Sequence, residues 1–383
     1  MKKQIYLDYA AATPLDSRVL SAMKPYFSGY FHNPSASYLP ARAARQKLEE
    51  ARAAVANIIG ARPGEVVFTA GATEANNLAV QGVMRAYPKA ELRVGAIEHD
   101  SVLKPAELYG AQTIAVTALG LVDVSKLAKL VSPDTVLVSV MLVNNELGTI
   151  QSLAEIAGLV AQIRADRQKN KNGLPLYLHT DAAQAGNYLD LHVSSLGVDL
   201  MSVNGGKLYG PKQSGFLYIK AGVNLRALIY GGGQEKGLRS GTENLAAAVG
   251  LAKALEIAQT RRTKETRKTL ELRNIFATLL QKSIKHAVIN GQSKKNSPHL
   301  LSVTIPGTDN ERLMMELDEL GIQCGVSSAC SASNEQPSHV LSAIGLSDKQ
   351  IRSTLRFSLG RSITRQDITF TVDRLASLAT QHR

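Results

Sequence analysis

Only two cysteines, Cys324 and Cys330, occur in 383 residues. A disulfide framework is not expected from so few, and without neighbouring histidines they make a poor zinc site. That leaves at least one of them available as a working thiol. Long apolar runs are missing as well, and no window approaches the length needed to span a membrane. The amino terminus, MKKQIYLDYAAATPLDSR, begins with lysines, but Asp8, Thr13, Pro14 and Asp16 interrupt any stretch long enough for a signal peptide. A cytoplasmic protein is therefore expected. No internal repeat or low-complexity segment is present to indicate a solenoid or a disordered chain.

What is present is the composition of an ordinary globular protein, 44% hydrophobic and 20% charged, long enough for two domains or one large one. The formal net charge of +12 would attract polyanions. The basic residues are spread along the chain, however. The densest run, TRRTKETRKTLELRN from Thr260 to Asn274, mixes in Glu265 and Glu271 at helical spacing and reads as a solvated helix face. Direct nucleic-acid binding is not expected.

From Gly64 to Lys220, short apolar runs alternate with helix-like segments: EVVFTA, LRVGAIE, QTIAVTAL, DTVLVSVMLV, LPLYLHTDA, DLMSVN and SGFLYIK. Runs that are apolar on both faces suit a parallel or mixed sheet covered by helices. Upstream, ARAARQKLEEARAAVANIIG places Leu48, Val55, Ile58 and Ile59 on one stripe and stops at Gly60, which predicts an amphipathic helix. A second helical stretch is predicted from Glu243 to Lys285. Beyond it LLSVTIPG, GIQCGV and TLRFSLG, with helical segments between, indicate a smaller α+β domain.

The stretch SVNGGKLYGPK sets Lys207 between a Gly-Gly pair and a Gly-Pro turn, just after an apolar strand. A lysine amine held tightly and partly away from water can form a Schiff base with a carbonyl cofactor. Such a cofactor, pyridoxal phosphate, also needs an acidic partner for its ring nitrogen and a cradle for its phosphate. YLHTDAAQ ends a strand on Asp181, and Gln184 follows one turn later. FTAGATEANN passes from a strand through Gly71 into a helix, a turn that aims backbone N–H groups and the Thr73 hydroxyl at an anion, or else simply caps the helix.

In their order along the chain, YLDYAAATP, GATEANN, VNNELG, HTDAAQ, the lysine segment, GGGQEKGLRSGTEN, SSACSAS and LRFSLGR resemble the cysteine desulfurases of the NifS/IscS type, from Ile5 to about Arg361. The resemblance implies a fold-type I, class V aminotransferase architecture: an α/β large domain with a mainly parallel seven-stranded sheet, a smaller α+β domain, and a homodimer. The large, cofactor-binding domain is expected over 16–262, and the small one over 1–15 with 263–383, carrying the catalytic-cysteine loop. Matched position by position, Lys207 carries pyridoxal 5'-phosphate, Asp181 holds its ring nitrogen, and His99 stacks on the ring. Ala72 and Thr73 form the phosphate turn, and Asn145 and Gln184 lie near the ring hydroxyl. Asn204 and Gly206 stand where the family commonly has a serine or threonine and a histidine. Thr242 reaches the phosphate from the other subunit. Arg356 grips the substrate carboxylate through two parallel donors, with Asn33 in the segment that assists it.

Each of these residues also has a plainer reading: His99 as a structural histidine, Arg356 as half of a structural ion pair, Asn145 as a turn cap. Two departures bear on function. Gly206 offers only its backbone where the family has an imidazole, and GVSSAC alters the approach to the cysteine loop. Cys330 lies among small and polar residues that favour an exposed loop, whereas Cys324 reads as a small buried hydrophobe at a strand end. The expected reaction takes sulfur from L-cysteine, releases L-alanine and leaves a persulfide on Cys330. His99 carries a proton, and an acceptor protein serving iron-sulfur cluster assembly or tRNA thiolation receives the sulfur. A selenocysteine lyase, a cysteine sulfinate desulfinase and a weakly active sulfur relay remain alternatives at this point.

Overall fold

All seven apolar runs between Gly64 and Lys220 become strands of one sheet in the computed structural model, which describes residues 4–292, 295–326 and 337–381. Across the sheet they lie in the order Val66–Thr69, Gly215–Ile219, Leu200–Asn204, Tyr177–Asp181, Thr135–Ser139, Glu91–Gly95 and Gln112–Ile114. Every pairing from Leu200–Asn204 onward is parallel. Gly215–Ile219 alone runs against both of its neighbours. The sheet is mainly parallel, as expected.

Side chains alternate between two cores because successive residues of a strand point to opposite faces. Leu137, Tyr177, Leu200 and Leu217 meet the helix Ala72–Ala86 on one face. Val138, Leu178, Met201 and Phe216 meet residues of Leu39–Ile59, Leu153–Lys169 and Leu245–Ser283 on the other. The first of these three helices is the predicted amphipathic one. It ends at Gly60, where φ is +68° and a Cβ would lie 2.1 Å from the His192 ring, so glycine is required twice over.

A second sheet, antiparallel, holds Gly325–Val326, Thr354–Ser358, Leu300–Thr304 and Val288–Ile289 in that order. With Asn310–Glu319 and Arg365–Gln381 it builds a separate core around Leu301, Val303, Leu355 and Phe357. The helix Leu245–Ser283 joins the two bodies. At 39 residues it runs roughly 60 Å, burying Leu251 and Leu255 in the first core and Leu272, Phe276 and Leu280 in the second. The amino-terminal strand Ile5–Tyr6 pairs with Ile322–Gln323, so the first residues pack with the last third of the chain. No helix among the described residues is long and apolar enough to cross a membrane.

Candidate active site

Strand direction gathers the predicted residues. Thr69 and Asn204 both sit opposite Gly215, so Val66–Thr69 ends at the same edge as the parallel strands. Ligands in such sheets bind just outside the carboxyl ends of the strands. There a cavity of about 190 Å³ is lined by Ala72 and Thr73 after the first strand and His99 after Glu91–Gly95. Asn145 follows Thr135–Ser139, Asp181 and Gln184 come next, and Asn204 and Lys207 follow their own strand. Arg356 reaches the same cavity from the second sheet.

Asp181 is 5% exposed. One carboxylate oxygen accepts from the Ala183 amide at 2.8 Å and the other from Asn76 Nδ2 at 2.7 Å. Asn76 also donates to Ser101 Oγ at 2.8 Å. Ser101 in turn meets His99 Nδ1 through its hydroxyl, at 2.8 Å, and through its backbone N–H, at 3.1 Å. His99 thereby caps the helix Asp100–Glu107. An Nδ1 that accepts from an amide places the proton of the neutral ring on Nε2. Behind this row, burial pushes the Glu98 carboxyl well above its ordinary range, and the nearby Asp181 charge adds to the effect.

Lys207 ends a short 3-10 turn, Gly205–Lys207, in which Asn204 Oδ1 accepts from the Gly206 amide at 3.0 Å. Its amine donates to the carbonyl oxygens of Ala10, at 2.7 Å, and Ala11. Gln184 Nε2 donates to the Ala10 carbonyl too, at 3.0 Å, and Thr13 Oγ1 to that of Gly206, at 3.0 Å. The amino-terminal segment is thus one wall of the site.

Arg356, 4% exposed, pairs with Asp8 at 2.7 Å through Nη2, and its Nη1 donates to the Asn145 carbonyl at 3.2 Å. The structural ion pair and the cavity lining therefore coexist in one residue. Its Nε is buried with no hydrogen-bond partner among the described residues. Cys324 is buried between the paired segments Ile322–Gln323 and Gly325–Val326, and burial pushes its thiol up to about 12. It has the surroundings of a packing residue.

Three expected positions among the described residues do not line this cavity. Asn33 is exposed, with its side chain accepting from the Ser35 amide. Gly206 is buried beside the lysine without lining the space. Thr242 lines a larger cavity, about 280 Å³, with Phe68, Gln213 and Arg239. That cavity holds none of the lysine, aspartate and histidine constellation, so its size does not make it the reaction site. Beside it, Glu235 is clamped by Arg52 at 2.7 and 2.8 Å. Cys330 lies outside the described residues. Asp8, Asn76 and Ser101 were not singled out from sequence, although the first two stand inside quoted motifs. Asn76 falls one helical turn after the glycine turn, a spacing that would have pointed to it. Among the described residues no group of three or more His, Cys, Asp or Glu is placed to hold a metal ion.

Residues 5–370 match the family described as aminotransferase class-V. The cysteine desulfurase IscS of Dictyoglomus turgidum is 37% identical over 382 residues, spanning 98% of this chain and 94% of its own length. A solved NifS-like protein shares the fold with a TM-score of 0.90 at 31% identity, over 99% of this chain and 100% of that one. SspA, solved in complex with cysteine, gives 0.80 at 33% identity, over 94% and 99%.

Proposed function

The chain belongs to the aminotransferase class-V family and is a cysteine desulfurase, and on that premise we propose that it frees sulfur from L-cysteine with resident pyridoxal 5'-phosphate, leaving L-alanine and a persulfide on Cys330. The observation that carries this reading is the convergence of an amine, a carboxylate, an imidazole and a guanidinium on one cavity. The residues fit the cofactor. Asp181 is a buried carboxylate, oriented by two accepted hydrogen bonds and bordering the cavity, where it can accept from a ring N–H. The helix Ala72–Ala86 presents its amino terminus to the same space, where an anion is favoured. The orphaned Nε of Arg356 is a buried donor suited to a substrate carboxylate.

When bound, the cofactor supplies an electron sink that lets the substrate α-proton leave. Lys207 Nζ is the amine proposed to hold the cofactor and to move that proton, and the carbonyls of Ala10 and Ala11 keep it at the cavity wall. Asn145, Gln184 and Asn204 border the cofactor, and Gly206 contributes backbone. Arg356 orients the substrate, with Asn33 assisting. The Cys330 thiolate attacks the substrate sulfur. An S–S bond forms as the C–S bond breaks, and the carbon takes up a proton carried by His99. Thr242 serves the phosphate of the other subunit in a homodimer. The persulfide passes to an acceptor protein for iron-sulfur assembly or tRNA thiolation, in the cytoplasm. The same reading divides the chain into a large domain, 16–262, and a small one, 1–15 with 263–383, supported by the passage of Leu245–Ser283 from one core to the other.

The test is alanine and sulfide release from L-cysteine with a thiol reductant and added pyridoxal 5'-phosphate. Wild type releases both. Lys207→Ala retains no cofactor after borohydride reduction. Cys330→Ser binds L-cysteine yet releases almost no alanine, while Cys324→Ser keeps most activity. Equal loss in the two cysteine variants would replace this mechanism with a paired-thiol one, and faster release from selenocysteine or cysteine sulfinate would reassign the substrate.

A further inference from the structure

Asn76 touches neither the space where chemistry is proposed nor any solvent, yet it is bonded to two residues that border the site. It is fully buried on the second turn of Ala72–Ala86, and its single amide nitrogen spends both hydrogens, one on Asp181 Oδ2 at 2.7 Å and one on Ser101 Oγ at 2.8 Å. The amide cannot be turned over, because its oxygen would then face a carboxylate. Its oxygen instead has no hydrogen-bond partner among the described residues. Leaving a buried carbonyl unsatisfied is costly, so the orientation is held by what the nitrogen does.

We propose that Asn76 is a positioning residue that couples Asp181 to His99. By donating to Asp181 it fixes the aim of that carboxylate at the edge of the cavity. By donating to Ser101 Oγ it occupies an acceptor site of the hydroxyl, which directs the hydroxyl proton to His99 Nδ1, 2.8 Å away. The Ser101 amide donates to the same nitrogen. The imidazole then keeps its own proton on Nε2. One amide thus fixes the aim of the proposed ring-nitrogen partner and the tautomer of the proposed proton carrier, which lie on different elements. The effect on turnover rests on the desulfurase reading; the effect on His99 does not.

Two variants test this. Asn76→Asp keeps the shape and replaces the double donor with an acceptor, so the Ser101 hydroxyl turns away from His99. Asn76→Ala removes the group. Both should lower kcat for alanine release about ten- to a hundredfold, the worth of one or two hydrogen bonds to a charged group, with KM changed less than about threefold. In cofactor-free protein labelled at histidine with nitrogen-15, wild-type His99 Nδ1 should show the shift of a hydrogen-bonded acceptor. In Asn76→Asp, where the Ser101 amide still donates to Nδ1 but the hydroxyl does not, it should move part of the way toward that of an unbonded ring nitrogen. Wild-type kcat, or an unmoved His99 resonance, in Asn76→Asp overturns the proposal, as does a loss confined to thermal stability. Should neither variant fold, Ser101→Ala removes the middle of the chain while leaving the Asn76 bond to Asp181. The His99 shift must then appear with a smaller loss of kcat, and an unmoved His99 again overturns it.

Discussion

Gly205 and Gly206 are chemically identical neighbours with opposite tolerances. A Cβ on Gly205 would lie 2.1 Å from Ser214 Oγ and 3.0 Å from Leu251 Cδ1, inside the larger core. One on Gly206 would meet Lys212 Cδ at 3.2 Å and Asn204 Oδ1 at 3.4 Å, both on side chains. Gly205→Ala should therefore destabilise the fold by about 1–3 kcal/mol through overpacking, read as a lower urea midpoint at unchanged slope. Gly206→His should fold. It supplies the imidazole that the resemblance leads one to expect before the lysine, and adds a donor near the proposed phosphate site. Its cofactor should be retained longer in dialysis, with affinity raised by up to about a hundredfold. Wild type should still work with added cofactor, since Lys207 and the amino terminus of Ala72–Ala86 remain. Wild type that never takes up cofactor, even in excess, would refute this and support the inactive-relay alternative.

At the scale of the element, the turn after Thr135–Ser139 ties together parts far apart in sequence. Asn144 Oδ1 accepts from the amides of Glu146 and Leu147, which turns the Glu146 carboxyl inward to accept from Ser338 Oγ at 2.7 Å. Ser338 also caps the helix His339–Ala343. Burial raises the Glu146 carboxyl to about 7, against a lesser lowering by Ser338 and Arg356. The folded state thus holds this proton more tightly than the unfolded chain does. Stability from this group is complete below pH 4.5 and lost as pH rises through 7, amounting to about 3 kcal/mol at most. Glu146→Gln keeps an acceptor for Ser338 and has no proton to lose, so urea unfolding should find it more stable than wild type at pH 8.5 and little different at pH 5. Elements of this kind were unevenly legible. Six of the seven strands of the main sheet are buried almost throughout, which leaves largely apolar runs in the sequence, and only the edge strand Gln112–Ile114 is mostly exposed. GIQCGV instead divides into two strands of two residues each, Ile322–Gln323 and Gly325–Val326, which pair with different partners. Nothing local in the sequence encodes pairing with Ile5–Tyr6, more than three hundred residues away.

For the whole molecule the same distinction governs the site. Residues proposed to act on the chemistry, such as Lys207, Asp181 and Arg356, could be read from motifs because their side-chain types would be dictated by what they bind. The groups that hold them were hidden, since Asp8 meets Arg356 and Ala10 meets Lys207 only once the amino-terminal segment is laid across the two bodies. Thr242 is the remaining test of assembly, because it lies in a different cavity of its own chain from Lys207. If it serves the other subunit of a homodimer, each complete site draws Lys207 from one chain and Thr242 from the other. Homodimers of Lys207→Ala are then dead, and those of Thr242→Ala are impaired at both sites when cofactor is scarce. Unfolding and refolding an equal mixture makes about half the dimers mixed, each with one site that has both residues and one that has neither. At limiting cofactor the mixture should recover about a quarter of wild-type alanine release, against near zero for the first variant and a small residue for the second. A residue that acted within its own chain would give no such recovery, because every site in the mixed dimer would then lack one group. Activity no higher than the mean of the two parents would therefore remove Thr242 from the partner's site.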